Sequence, residues 1–168
     1  LHTCRELLDA VGGHPMAAGV SIAAANIPAL HEQFEAVIAT RTRPEQFTKI
    51  MQVDAELAFA QVDAALLQDL ERLAPHGPGN PTPLFLSRGV TVVARRIVGE
   101  RHLKLSLRQG TTTLAGIAFG MAEREDADTI IEGAVIDVLF RPEWNEWNGT
   151  RSLQLLVKDV RAHHTSCT

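Results

Sequence analysis

The chain has 168 residues, 45% of them hydrophobic and 21% charged, with a formal net charge of -4, a composition that excludes disorder as its main state. Its apolar runs fall well short of the roughly 18 to 20 residues that span a bilayer, and Leu1-His2-Thr3-Cys4-Arg5 lacks the basic start and apolar stretch of a signal peptide, so no membrane association is expected. Cys4 and Cys167 lie near opposite ends without C-x-x-C spacing, which points away from a disulfide framework or structural zinc and towards a reducing, cytoplasmic setting.

The chain begins without Met, directly in a helix-like stretch, and is expected to be a fragment. Thr3-Cys4-Arg5-Glu6 has capping-box spacing, and Leu7, Leu8 and Val11 follow at helical intervals, so a first helix is expected to stop at Gly12-Gly13. Met16 to Ala25 is small and apolar and reads as a buried strand or turn of strand. Asn26 is placed to cap a second helix with Pro28 in its first turn and Ile27, Leu30, Phe34, Val37 and Ile38 on one face, ending near Thr40.

From Met51 to Phe59 the period changes to two, predicting a strand; a third helix is expected over about 63–73, with Leu66, Leu67, Leu70 and Leu73 as its apolar face. Residues 75–83 hold four of the eight prolines and cannot continue a helix or central strand, which makes them a natural boundary. Five short strands follow, at 90–98, 102–108, 113–119, 134–140 and 152–160, with helical propensity over 121–131 between the third and fourth. Leu103, Leu105 and Leu107 alternate with His102, Lys104, Ser106 and Arg108, so one face packs inward and the other is polar. This order is that of an OB-fold, a five-stranded Greek-key barrel whose strands two and three often bind oligonucleotides.

Charge sharpens the division. Residues 1–76 carry 5 Lys or Arg against 10 Asp or Glu, whereas residues 77–168 carry 11 against 10. Within the latter, 84–119 holds six cations and a single Glu100, and such concentrated positive charge suits a phosphate backbone through counterion release, although solvated strand and loop residues would look the same. By contrast, 121–146 has a net charge of -6.

Two segments go beyond fold class. Gly12-Gly13-His14-Pro15-Met16-Ala17-Ala18-Gly19 is similar to the G-G-H-x-x-A-A-G motif of the DHHA1 domain of DHH-type phosphoesterases. Pro78 to Phe85, Val98 to Lys104, and Asn145 to Gly149 with Leu153-Gln154-Leu155 resemble the C-terminal region of the RecJ family, single-strand-specific 5′-to-3′ DNA exonucleases of recombination and repair. The resemblance implies an α+β chain: the C-terminal part of a DHHA1 domain over 1–47, a connecting strand, helix and Pro/Gly-rich linker over 48–83, an all-β OB-fold over 84–162 and a flexible tail over 163–168. It also implies that Mn²⁺ or Mg²⁺ is bound by Asp and His residues of a DHH domain, which this chain lacks, so that the fragment alone has no catalytic or metal-binding residues and is inactive.

On that resemblance Gly12, Gly13 and His14 would bind a substrate phosphate, with a helix C-cap turn whose His packs against the sheet as the plainer alternative. Arg95, Arg96, Arg101, His102, Lys104 and Arg108 are candidates to track single-stranded DNA. Trp144 and Trp147, in the hairpin 142–149, would either stack a base or plug the barrel mouth. Asn145, Asn148 and Gly149 read as turn formers. His76 stands where the family more often has an apolar or aromatic residue, and 123–128 reads as a solvated acidic helix face. A second functional reading makes the barrel a protein-interaction module docking a single-strand-binding protein or a helicase, supported by the acidity of 121–146.

Overall fold

The computed structural model of the chain describes residues 2–14, 16–48, 50–124, 127–147 and 149–163. Pro15 of the glycine-rich motif, Glu125 and Asp126 of the acidic run, Asn148 of the hairpin, Cys167 and the tail beyond His163 lie outside the described residues. The chain forms two compact units, 1–51 and 52–168.

The first unit opens with a 3₁₀ helix, His2–Leu7, in which Cys4 departs from helical geometry and is buried. The expected helix does not reach Gly12-Gly13. Instead β1 (Ala10–His14) pairs antiparallel with β2 (Ala17–Ser21), setting Gly12 opposite Gly19 and Gly13 opposite Ala18. The two glycines are therefore strand residues. Every residue of β2 is exposed, which corrects the expectation of a buried strand. Helix α1 (Ile27–Arg41) begins with Pro28 in its first turn as its sequence predicts, but Asn26 turns its side chain away from the cap and donates to the Leu7 carbonyl at 3.4 Å.

In the second unit, β4 (Phe85–Val98), β5 (His102–Gln109), β6 (Thr112–Ala118), β7 (Val135–Trp147) and β8 (Thr150–Ala162) run in the order β4-β5-β6-β8-β7, and β7 pairs back onto β4. The β6–β8 pairing is parallel and the others of the ring are antiparallel. A closed five-stranded barrel with this order is the OB arrangement. Its closure requires strong coiling, and irregularities in register fall between Ser87 and Val90, Val92 and Ala94, and Leu139 and Phe140. Leu103, Leu105 and Leu107 all point into the core with Val90, Val92, Ile136, Val138, Phe140 and Leu155. At Gly116 a Cβ would come within 3.3 Å of Val157 Cγ2 and 3.4 Å of Leu107 Cδ1, tighter than ordinary contact, so a side chain there would make those neighbours give by a few tenths of an ångström where β5, β6 and β8 converge.

The boundary between the units falls earlier than the proline-rich stretch. Only Ala55–Glu56 of the expected strand pairs, as β3, parallel to Phe85–Leu86. The following 3₁₀ turn places Phe59 in the barrel core, edge-on to Phe140 with ring centroids 6.1 Å apart. Gln109 ties this strap down, accepting from the Phe59 N–H and donating to the Arg88 carbonyl, both at 2.7 Å. Helix α2 (Ala64–Glu71) is capped by Asp63, which accepts from Leu66 N–H at 2.9 Å, and buries Leu67. Leu66 and Leu70 pack on the same core, whereas Leu73 is left half exposed. Between β6 and β7 two 3₁₀ turns, Met121–Glu123 and Ala127–Thr129, replace the expected helix and send Met121, Ala127 and Ile130 into the interior. No helix among the described residues is long and apolar enough to cross a membrane.

Candidate nucleic-acid interface

A groove of about 610 Å³ runs over the outer face of the barrel between the β4–β5 turn and the β7–β8 hairpin. Strand alternation decides which side chains reach it. Lys104 lies opposite Arg96 on one side and Ile117 on the other, so all three project outward from neighbouring strands. On the hairpin, Trp147 faces Thr150 and Asn145 faces Ser152 across the ladder, and these four line the opposite side of the groove with Gln154. No Asp or Glu lines it among the described residues.

His102 is held in one orientation. Its Nδ1 accepts a hydrogen bond from the Gly120 N–H at 3.0 Å, leaving Nε2 as the ring's donor, and its ring stands edge-on to Phe119 with centroids 5.0 Å apart. Phe119 is 61% exposed and Trp147 is 72% exposed, so each offers a free aromatic surface at the groove. Apolar surface left in water beside cations is the arrangement that stacks bases while paired phosphates are neutralised.

The residues singled out from sequence thus separate. Arg96, His102, Lys104 and Trp147 come together in the groove. Arg95 does not join them: it sits opposite Leu105, whose side chain is buried, its backbone N–H donates to Glu132 at 3.3 Å, and its Nε is buried without a hydrogen-bond partner. Arg101 is exposed in the β4–β5 turn, outside the groove lining. Arg108 shares the outward face of β5 with Lys104 but lies four residues, about 13 Å, further along the strand. Trp144 projects from the other face of the hairpin, where the Arg151 guanidinium lies 4.4 Å from its ring centre, over a second cavity of about 410 Å³ shared with Leu67, Leu70 and Pro83. His76 lines that same cavity. Gly12, Gly13 and His14 belong to the other unit, where they form most of an exposed β1.

Sequence reasoning missed Phe119, Thr150, Ser152 and Gln154, and took Asn145 for a turn former although it lies inside β7. The period-two run Thr150, Ser152, Gln154, interleaved with Leu153 and the buried Leu155, was the available signal.

Among the described residues, none of the acidic side chains of 121–146 lines the groove. Asp137 is buried and accepts from the Gly89 N–H at 3.1 Å, Arg161 at 3.1 Å and Arg88 at 3.4 Å, with His163 Nδ1 at 2.6 Å. Glu146 pairs with Arg151, and Glu132 with the Arg95 backbone. Among the described residues no group of three or more His, Cys, Asp or Glu side chains is placed to hold a metal ion.

The comparison with known proteins follows this geometry. The family model of the RecJ OB domain matches residues 53–159, a span that includes the strap as well as the barrel. The chain is 28% identical over 162 residues to the single-stranded-DNA-specific exonuclease RecJ of Bacillus subtilis, covering 95% of this chain and 20% of that protein. It is 30% identical to the RecJ of Dickeya dadantii, covering 95% of this chain and 28% of that protein. The crystal structure of Thermus thermophilus RecJ in complex with Mn²⁺ superposes with a TM-score of 0.72 at 27% identity, over 98% of this chain and 23% of that one. The chain thus spans between a fifth and somewhat over a quarter of these relatives.

Proposed function

Since the chain belongs to the RecJ OB-domain family, we propose that it is the strand-holding portion of a single-stranded-DNA 5′-to-3′ exonuclease acting in DNA repair and recombination in the cytoplasm. The observation that carries this reading is the groove: Arg96 and Lys104 on one side, Trp147 and Phe119 exposed at its margins, and no acidic lining among the described residues. Cations there neutralise successive phosphates without reading sequence, and the aromatic surfaces take bases that only an unpaired strand can offer. A duplex keeps its bases stacked inside and gains only the charge term.

Hydrolysis belongs to the rest of the polypeptide in this reading. Mn²⁺ or Mg²⁺ would be held by a DHH domain and would supply the activated water; this chain's residues hold and aim the strand. The C-terminal part of a DHHA1 domain, 1–47, lies within the first unit in this reading, and Gly12, Gly13 and His14 on the exposed β1 are its candidates for a substrate phosphate. The test is fluorescence anisotropy with a labelled oligonucleotide. Single-stranded DNA should bind with an affinity that falls steeply with salt, a duplex of the same sequence should bind more weakly, and added Mn²⁺ should produce no degradation. Absence of binding at low salt removes the DNA role of the barrel, and degradation by the purified chain removes the assignment of catalysis to another domain.

A protein-docking reading retains one specific observation, the cavity beside α2 and Trp144 on the far side of the hairpin. A single-strand-binding protein or a helicase retained in a DNA-free pull-down, and released by Leu70→Glu in that cavity, would support it as an addition to the groove.

A further inference from the structure

The two long walls of the groove differ in chemistry. The β4–β5 wall carries the groove's Lys and Arg side chains, Arg96 and Lys104, both exposed and facing each other across the ladder, with Phe119 and His102 at its end. The β7–β8 wall presents uncharged hydroxyl and amide groups from Thr150, Ser152, Gln154 and Asn145, with Trp147 at its end. A nucleic-acid strand is divided in the same way, with anionic phosphates along one edge and neutral, hydrogen-bonding bases along the other. We infer that the strand lies with its phosphates against the β4–β5 wall and its bases against the β7–β8 hairpin, so that Ser152 and Gln154 are base-contacting residues. This deepens the reading of the groove as a single-strand site and rests on it.

Three observations support that assignment. Ser, Thr, Asn and Gln side chains hydrogen-bond phosphate oxygens as readily as base edges, but they carry no charge, so counterion release favours the anionic edge at Arg96 and Lys104 and leaves the hairpin groups to the neutral edge. Trp147 sits on the same face of the hairpin as Ser152 and Asn145, as their ladder partners show, so a base stacked on Trp147 presents its edge to them. Gln154 is also oriented: its Nε2 donates to Glu143 at 3.4 Å, leaving the carbonyl Oε1 as the atom available to a ligand.

The experiment uses the 168-residue chain and two oligonucleotides of equal length, one intact and one in which a central run of nucleotides is abasic, with the same number of phosphates. Ser152→Ala/Gln154→Ala should weaken binding of the intact strand by roughly three- to tenfold, leave the abasic strand unchanged and leave the salt slope unchanged. Arg96→Ala/Lys104→Ala should weaken both strands and reduce the slope of log affinity against log salt by about 1.4, the share of two phosphates on a single strand. Equal weakening of both strands by the hairpin variant, a changed salt slope in that variant, or loss of only the intact strand on removing the two cations would each overturn the assignment. Failure of the wild-type chain to bind either strand would instead strike the proposed function itself. Thr150→Val, which keeps the β-branched shape of its strand, gives a second hairpin variant with the same expected selectivity if the double variant loses stability.

Discussion

Trp144 and Trp147 lie three residues apart on β7 and project from opposite faces of the β7–β8 hairpin, Trp147 into the groove beside Asn145 and Thr150, Trp144 beneath the Arg151 guanidinium at 4.4 Å. Two residues of one type in one short segment thereby acquire different roles. The hairpin is a partition with a wet aromatic on one side and a half-covered one on the other.

The pair gives the first prediction. Trp147→Ala should cost about 1–3 kcal/mol of single-strand affinity and leave the melting temperature nearly unchanged, since the side chain is 72% exposed. Trp144→Ala should do the reverse, destabilising the chain by about 1–3 kcal/mol, less than a fully buried tryptophan would, with the affinity retained. Trp144→Phe should be nearly neutral, because the Nε1 it removes is buried without a hydrogen-bond partner. Paired melting and anisotropy measurements check all three, and a binding loss confined to the Trp144 variants would reverse the assignment of faces.

Which parts of this were legible in the sequence follows from how local each signal is. Leu103, Leu105 and Leu107 alternate strictly, and strand period alone places them in the core. Arg95 and Arg96 stand side by side, and a register irregularity between Val92 and Ala94 sets the phase that sends Arg96 to the groove and Arg95 away from it. No local pattern records that shift. Gly12-Gly13 resembles a helix stop because its pairing with Ala18 and Gly19 is visible only once β2 is in place. Phe59 looks like one more apolar residue near a strand end, yet contact with Phe140, far along the chain, puts it in the barrel core. The hairpin was nearer to being read: counting outward from the turn at Gly149, whose φ is 74°, pairs Trp147 with Thr150 and fixes every face beyond it.

Phe59 tests whether the strap is part of the barrel. It is 1% exposed and packs edge-on against Phe140, so Phe59→Ala should cost about 3–5 kcal/mol and lower the denaturant midpoint of the whole second unit in one transition. Gln109→Ala should act in the same direction by about 1–3 kcal/mol, since it strands the Phe59 N–H and the Arg88 carbonyl. If residues 52–83 were only a tether, both variants would unfold at the wild-type midpoint.

Gly12 and Gly13 are distinguishable by substitution. At Gly13 the φ is 147° and a Cβ would run into the Ala17 carbonyl oxygen and lie 2.5 Å from Ala18 Cα, whereas at Gly12 nothing stands within 4 Å. Gly13→Ala should therefore open the β1–β2 hairpin, seen as faster amide exchange over 10–21, and Gly12→Ala should leave it closed. Equal exchange in the two variants would show that the hairpin tolerates a side chain at Gly13.

Asp137 makes stability depend on acid. Burial pushes its carboxyl up, but the hydrogen bonds from His163, the Gly89 N–H and Arg161 together outweigh that and hold it below the ordinary value of 3.8. A carboxyl whose folded value is lower than its unfolded one binds fewer protons in the native state. Its contribution is therefore complete above the ordinary carboxylate value and is lost as pH falls through that value towards the lower folded one. Asp137→Asn keeps the shape, removes the charge facing Arg88 and Arg161, and should cost about 1–3 kcal/mol at neutral pH. Melting temperatures followed from neutral pH down to about 2 should converge for wild type and variant, because protonation does to the first what the substitution has already done to the second. A gap of constant size across that range would mean that the loss comes from packing around the amide and that the Asp137 charge contributes nothing.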